Sequence, residues 1–226
     1  ERVMLVGFSA RGLSGLLAAD TPGMVGYVGL DPFDRAMPGE AERLGLAAAS
    51  RLQTEALLLR APVSLSLDCH SGFGRRDRIW CCYARTHKPI AHLAEVYRIK
   101  QVLETTYPHH HPYLIEPQSL NYTTHGDLCD YLYDRARTQH PNRVFLPFTL
   151  EMGSWLWVRK NPRQMLDFFG FFNPVIGHRH NRVLRQHLPL LEFLTALTAN
   201  AGNWLPTGER RRALTRDAVA HWFGSE

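Results

Sequence analysis

The apolar positions of the chain fall into two rhythms. Val63, Leu65 and Leu67 alternate with Ser64 and Ser66, the period of two expected of a strand. That strand runs into Asp68-Cys69-His70-Ser71-Gly72-Phe73-Gly74, where the glycines force a turn. Val144 to Leu150 is apolar almost throughout and reads as a second strand. Its Pro147 has no N–H for a ladder and predicts an edge or irregular strand. Near the start, Arg2 to Val6, Gly12 to Ala19 and Met24 to Leu30 read as strand, small-residue helix and strand. Glu40 to Leu52 reads as a helix and Ala56 to Leu59 as a short buried strand. A slower rhythm marks helices over Ile90 to Glu104, Asp127 to Arg137, Pro162 to Phe169, Arg179 to Leu197 and Glu209 to Phe223, the last with Thr207 as N-cap. Tyr107 to Gly126 reads as irregular. The pattern predicts an α/β fold: a mixed, mostly parallel sheet with helices on both faces. Ligands in such sheets bind beyond the carboxyl ends of the strands. Predicted strands end at Ser9, Asp31, His70 and Glu151.

Composition narrows the classes. With 226 residues, 45% of them hydrophobic, the chain can bury one sizeable core or two small ones. Its apolar runs, such as Ala56 to Leu59 and Leu188 to Leu191, stop well short of the roughly 18 residues of a membrane span, so no membrane is expected. Glu1 to Val6 reads as a strand rather than as a leader peptide. None of Cys69, Cys81, Cys82 and Cys129 forms a C-x-x-C pair, and adjacent Cys81 and Cys82 suit neither a zinc finger nor a mutual disulfide. A reducing, cytoplasmic setting is expected. The formal charge of +5 comes from arginines scattered in short clusters without a nucleic-acid module, so nucleic acid is not an expected partner.

Two strand ends carry the chemistry. His70, on a glycine-flanked turn, can present its imidazole without crowding; Glu151 ends an apolar strand and should emerge from a partly dry wall. A catalytic zinc needs about three protein ligands, an open position for water and a nearby carboxylate to take the water's proton. The same two residues also suit a hydrogen-bonded turn histidine and a capping acid.

Leu67-Asp68-Cys69-His70-Ser71-Gly72-Phe73-Gly74-Arg75-Arg76-Asp77-Arg78-Ile79-Trp80 resembles the zinc carboxypeptidase segment that supplies the third metal ligand, a His followed by Ser at a strand end. Phe148-Thr149-Leu150-Glu151 is similar to that family's Thr-x-Glu strand, and Asp130-Tyr131-Leu132-Tyr133 to the segment with its substrate-binding tyrosine. Similarity continues through Glu116-Pro117-Gln118-Ser119, Thr124-His125-Gly126-Asp127 and Glu151-Met152-Gly153-Ser154-Trp155, over about Val63 to Leu205. The resemblance implies a zinc-dependent metallopeptidase that hydrolyses a peptide or amide bond at a substrate's carboxyl end, with His70 on zinc, Glu151 as general base and Tyr133 on the substrate. The family's first two ligands come from an upstream H-x-x-E, and none precedes His70. His92-Leu93-Ala94-Glu95 lies downstream, where His and Glu share a helix face and serve either as chelators or as a solvated surface. Arg75 and Arg76 are the nearby cations for a substrate carboxylate or, equally, solvated surface. Of the other histidines, His109-His110-His111 suits a metal-binding tract or, equally, a polar loop, His178 and His180 a cap or solvent, and His125 is the secondary site candidate.

Val6-Gly7-Phe8-Ser9-Ala10-Arg11-Gly12 resembles the G-x-S-x-G turn of the α/β-hydrolase family, with Arg11 at a glycine position. That likeness implies a serine esterase with Ser9 as nucleophile and Asp31 or Asp34 as acid; a capping serine is the plainer reading, and a non-catalytic remnant is the third reading of the chain. The sequence therefore divides into a hydrolase-like segment, 1–62, and a carboxypeptidase-like segment, 63–226.

Overall fold

The computed structural model describes residues 5–9, 61–70, 77–109, 113–124, 127–153, 155–166, 170 and 176–224. The expected elements at 12–19, 24–30, 40–52 and 56–59 lie outside these residues, as do Asp31, Asp34, Arg75, Arg76 and His125.

Five strands form one sheet: β1 (Leu5–Ser9), β2 (Val63–His70), β3 (Asp77–Cys81), β4 (Tyr113–Pro117) and β5 (Val144–Glu151), in the order β1-β2-β5-β3-β4. The first three in that order run parallel, β3 meets β5 antiparallel, and β4 follows β3 in parallel. Strand directions thus divide three to two, so the sheet is mixed rather than mostly parallel. The α/β class stands.

Pro147 needs a second correction, because β5 is the central strand and not an edge. The β3 ladder ends at Cys81 opposite Phe148, and Pro147 contributes only its carbonyl, which accepts from Cys82 N at 3.0 Å. The position without a donor falls where the neighbouring strand has stopped, so no hydrogen bond of a continuing ladder is lost. β2 and β5 are buried along nearly their whole length, including Ser64 and Ser66, so both faces of the sheet's centre are covered.

The helices are α1 (Leu93–Thr106), α2 (Leu128–Gln139), α3 (Trp155–Lys160), α4 (Gly177–Ala199), α5 (Ala201–Trp204) and α6 (Gly208–Phe223). α2 covers one face, setting Tyr133 on Phe145 with ring centroids 6.5 Å apart. α4 covers the other, where His187 Nδ1 lies 2.8 Å from Tyr113 Oη. Asp127 caps α2 by accepting from the backbone N–H groups of Cys129 and Asp130. Two short strands, β3 and β4, occupy stretches that show no strand rhythm in sequence. β4 in particular falls inside 107–126, expected to be irregular.

The downstream His92-x-x-Glu95 motif is neither a chelate nor a solvated face. His92 is buried, and its Nδ1 lies 2.7 Å from Tyr133 Oη. Glu95, 2% exposed, holds Arg211 of α6 at 2.6 Å through Nε, while Arg211 Nη2 also reaches Glu95 Oε2 and the Ala91 carbonyl. A paired carboxylate of this burial fastens α6 to α1.

Two outcomes follow from these buried groups. Arg211→Ala strands a charge in the core and should cost about 3 kcal/mol in urea denaturation, whereas Glu95→Leu with Arg211→Leu should cost much less; equal losses would contradict the buried-pair account. Burial holds the His92 imidazole below its ordinary pKa. Its stabilising contribution is therefore complete above about pH 6.5 and declines as pH falls below that value. His92→Gln should remove part of the acid-induced fall in melting temperature.

Candidate functional site

The β2–β5 register builds the site. His70 and Glu151 are partners at the carboxyl ends of adjacent parallel strands, and Asp68 pairs with Thr149 two residues earlier. Side chains two apart share a face. Asp68, His70, Thr149 and Glu151 therefore stand on one face, and β3 adds Arg78 and Trp80, partners of Glu151 and Thr149.

His70 joins both acids. Its Nε2 lies 2.8 Å from Asp68 Oδ2 and its Nδ1 lies 3.1 Å from Glu151 Oε1. The imidazole is half-exposed, while the two carboxylates are mostly covered. Hydrogen bonding to Asp68 first, and to Glu151 second, pushes the His70 pKa up to about 10. The ring is an imidazolium at neutral pH, donating from both nitrogens. Asp68 Oδ1 is buried with no hydrogen-bond partner among the described residues.

A second group flanks Glu151. Glu116 Oε1 accepts from Arg78 Nη1 at 2.8 Å, Trp80 Nε1 at 3.2 Å and Asn121 Nδ2 at 3.0 Å. The Tyr122 ring meets Trp80 edge-on, 5.5 Å between centroids. Burial first, and the negative charge of Glu151 second, raise Tyr122's phenol above its ordinary pKa. Behind the strand end, Met152 N donates to the His70 carbonyl at 2.8 Å and Gly153 N to Asp77 Oδ1 at 3.0 Å, fixing the path of the chain as it leaves Glu151.

Tyr133 is not part of this group. It is fully buried, bound to His92 and packed on Phe145, six residues before Glu151 on β5. That separation is about 20 Å along a strand. Tyr133 is a core residue toward the other end of β5, and the structure does not bring it together with His70 and Glu151. Sequence reasoning missed Asp68, although its i−2 spacing from His70 on a strand was a usable signal. Arg78, Trp80, Glu116 and Tyr122 were hidden because their strands and loop carry no clear rhythm.

A cavity of about 570 Å³ opens elsewhere, lined by Arg85, Asp127, Asp130, Asp134 and Arg135 among others. Its Arg85 is spent on Asp134 at 2.8 Å, and it does not include Asp68, His70 or Glu151.

A zinc-binding histidine gives one nitrogen to the metal and its other N–H to a carboxylate or carbonyl. His70 fits half of that description: Asp68 holds Nε2, and Nδ1 faces the proposed base. Among the described residues no group of three His, Cys, Asp or Glu could hold a metal. Comparisons with protein-family models, curated proteins and solved structures each return no match. Among the described residues no helix is long and apolar enough to cross a membrane.

With a chelator present, the His70 ring should titrate near pH 10 by NMR, and Asp68→Asn should lower that midpoint. A group whose pKa is raised on folding stabilises fully below its unfolded value and loses that contribution as pH rises through its folded value. The metal-free protein should therefore lose stability between about pH 7 and pH 10, and less so in Asp68→Asn. A His70 midpoint near 6.5 would contradict the double hydrogen bond.

Proposed function

We propose that the Asp68–His70–Glu151 face is the base-bearing half of a zinc-dependent hydrolase acting on peptide or amide bonds at a substrate's carboxyl end. The observation that carries this reading is the placement of His70 opposite Glu151 at matched strand ends, with Asp68 on the far ring nitrogen. His70 Nδ1 would hold the metal, and the remaining ligands would come from residues beyond those described or from another chain. Zinc, when bound, supplies Lewis acidity and acidifies a water. Asp68 keeps the ring oriented and fixes which nitrogen is free. Were Nδ1 given to a metal, Glu151 would lose its hydrogen bond to His70, and its carboxylate would be free to accept a proton from water.

A serine hydrolase using Ser9 is the second reading. Ser9 ends β1 in register with Cys69, one residue short of His70, and the likeness of residues 6–12 to a G-x-S-x-G turn is what supports this reading. A fluorophosphonate probe separates the readings, because it labels an activated serine.

Glu151→Gln should abolish hydrolysis of N-benzoylglycyl-L-phenylalanine by the zinc-supplemented chain, by at least about 100-fold, as expected on losing a general base. Zinc content should be unchanged. Retained turnover, or labelling of Ser9 that blocks turnover, would overturn the zinc reading.

A further inference from the structure

The corner between Trp80 and Tyr122 has no role in the proton chemistry, yet it is built with some care. Trp80 pairs with Thr149, two residues before Glu151, on the face that carries Glu151. Its indole cannot swing freely, because Nε1 donates to Glu116, whose same oxygen also holds Arg78 and Asn121. Tyr122 stands against it at an interplanar angle of 79°, so the two rings form two walls of a right-angled corner. Tyr122 remains 44% exposed although its ring is packed against Trp80, whose partner Glu116 is itself only partly covered. Aromatic rings favour edge-to-face or offset contact with a further ring, and exposed apolar area beside a reactive carboxylate is area that a ligand can cover.

We infer that Trp80 and Tyr122 are specificity-determining residues that receive a planar apolar side chain of the substrate beside Glu151, with Glu116 as the residue that positions Trp80. The inference rests on the proposed site at Glu151 for its meaning as specificity, but not for its test, which reads binding. Tyr122 acts through its ring rather than its hydroxyl, so Tyr122→Phe keeps the corner and Tyr122→Ala removes one wall. Glu116→Gln retains an acceptor for the indole and loses the charge that holds Arg78, so it should weaken the corner less than Tyr122→Ala does.

The experiment titrates the full chain with N-acetyl-L-phenylalaninamide and with N-acetylglycinamide, following binding by saturation-transfer NMR, with circular dichroism confirming that each variant is folded. The ring-bearing compound should bind at least about tenfold more tightly, the scale of discrimination that an apolar pocket provides. Tyr122→Ala and Trp80→Ala should erase that preference, and Tyr122→Phe should keep it. Equal binding of the two compounds, binding of neither, or an undiminished preference in folded Tyr122→Ala would overturn the inference. A ring preference that persists in a chain without hydrolytic activity would leave the corner standing and count against the hydrolase reading alone.

Discussion

Everything proposed for this protein depends on the parallel, in-register pairing of β2 with β5. Because side chains alternate across a strand, a slip of one residue would exchange the Leu65–Leu67 face for the Ser64–Ser66 face and carry His70 away from Glu151. Burial on both sides resists such a slip. Leu65, Leu67, Leu146, Phe148 and Leu150 sit in one apolar cluster, all at or near zero exposure, and their packing sets the register of the polar ends. The site is thus a by-product of core packing carried to the rim of the sheet.

At that rim the balance is between a proton and a cation. Two carboxylates on one imidazole stabilise its charged form, so any metal that takes Nδ1 has to displace a proton, and its affinity should rise with pH. Asp68 Oδ1, buried and without a hydrogen-bond partner among the described residues, adds negative charge at the same place. An arrangement of this kind favours the charged imidazolium and keeps Glu151 engaged with it.

Much of the central sheet was legible in the sequence. The alternation at Val63 to Leu67 and the apolar run at Val144 to Leu150 gave both central strands, and the glycines after His70 marked where the first one ends. What remained hidden depended on neighbours. Pro147 is tolerated in the centre because β3 is short, a fact located in another segment. β3 and β4 are five residues each, with charged or half-covered positions, and lack a rhythm to detect. His92 and Glu95 were matched by spacing to a metal motif, yet tertiary partners, Tyr133 and Arg211, decide their roles. Tyr133 was assigned by resemblance, and its packing in the core on His92 and Phe145 is set by tertiary partners that its own segment does not reveal.

The most direct measurement is zinc stoichiometry of the purified chain after equilibration with excess metal and removal of loosely held ions, for wild type and His70→Ala together. The account predicts about one zinc per chain in wild type, lost in His70→Ala, since a ligand set held firmly enough for catalysis retains its metal. Less than about 0.1 zinc per wild-type chain, or a content that His70→Ala leaves unchanged, would contradict the assignment of His70 as a ligand.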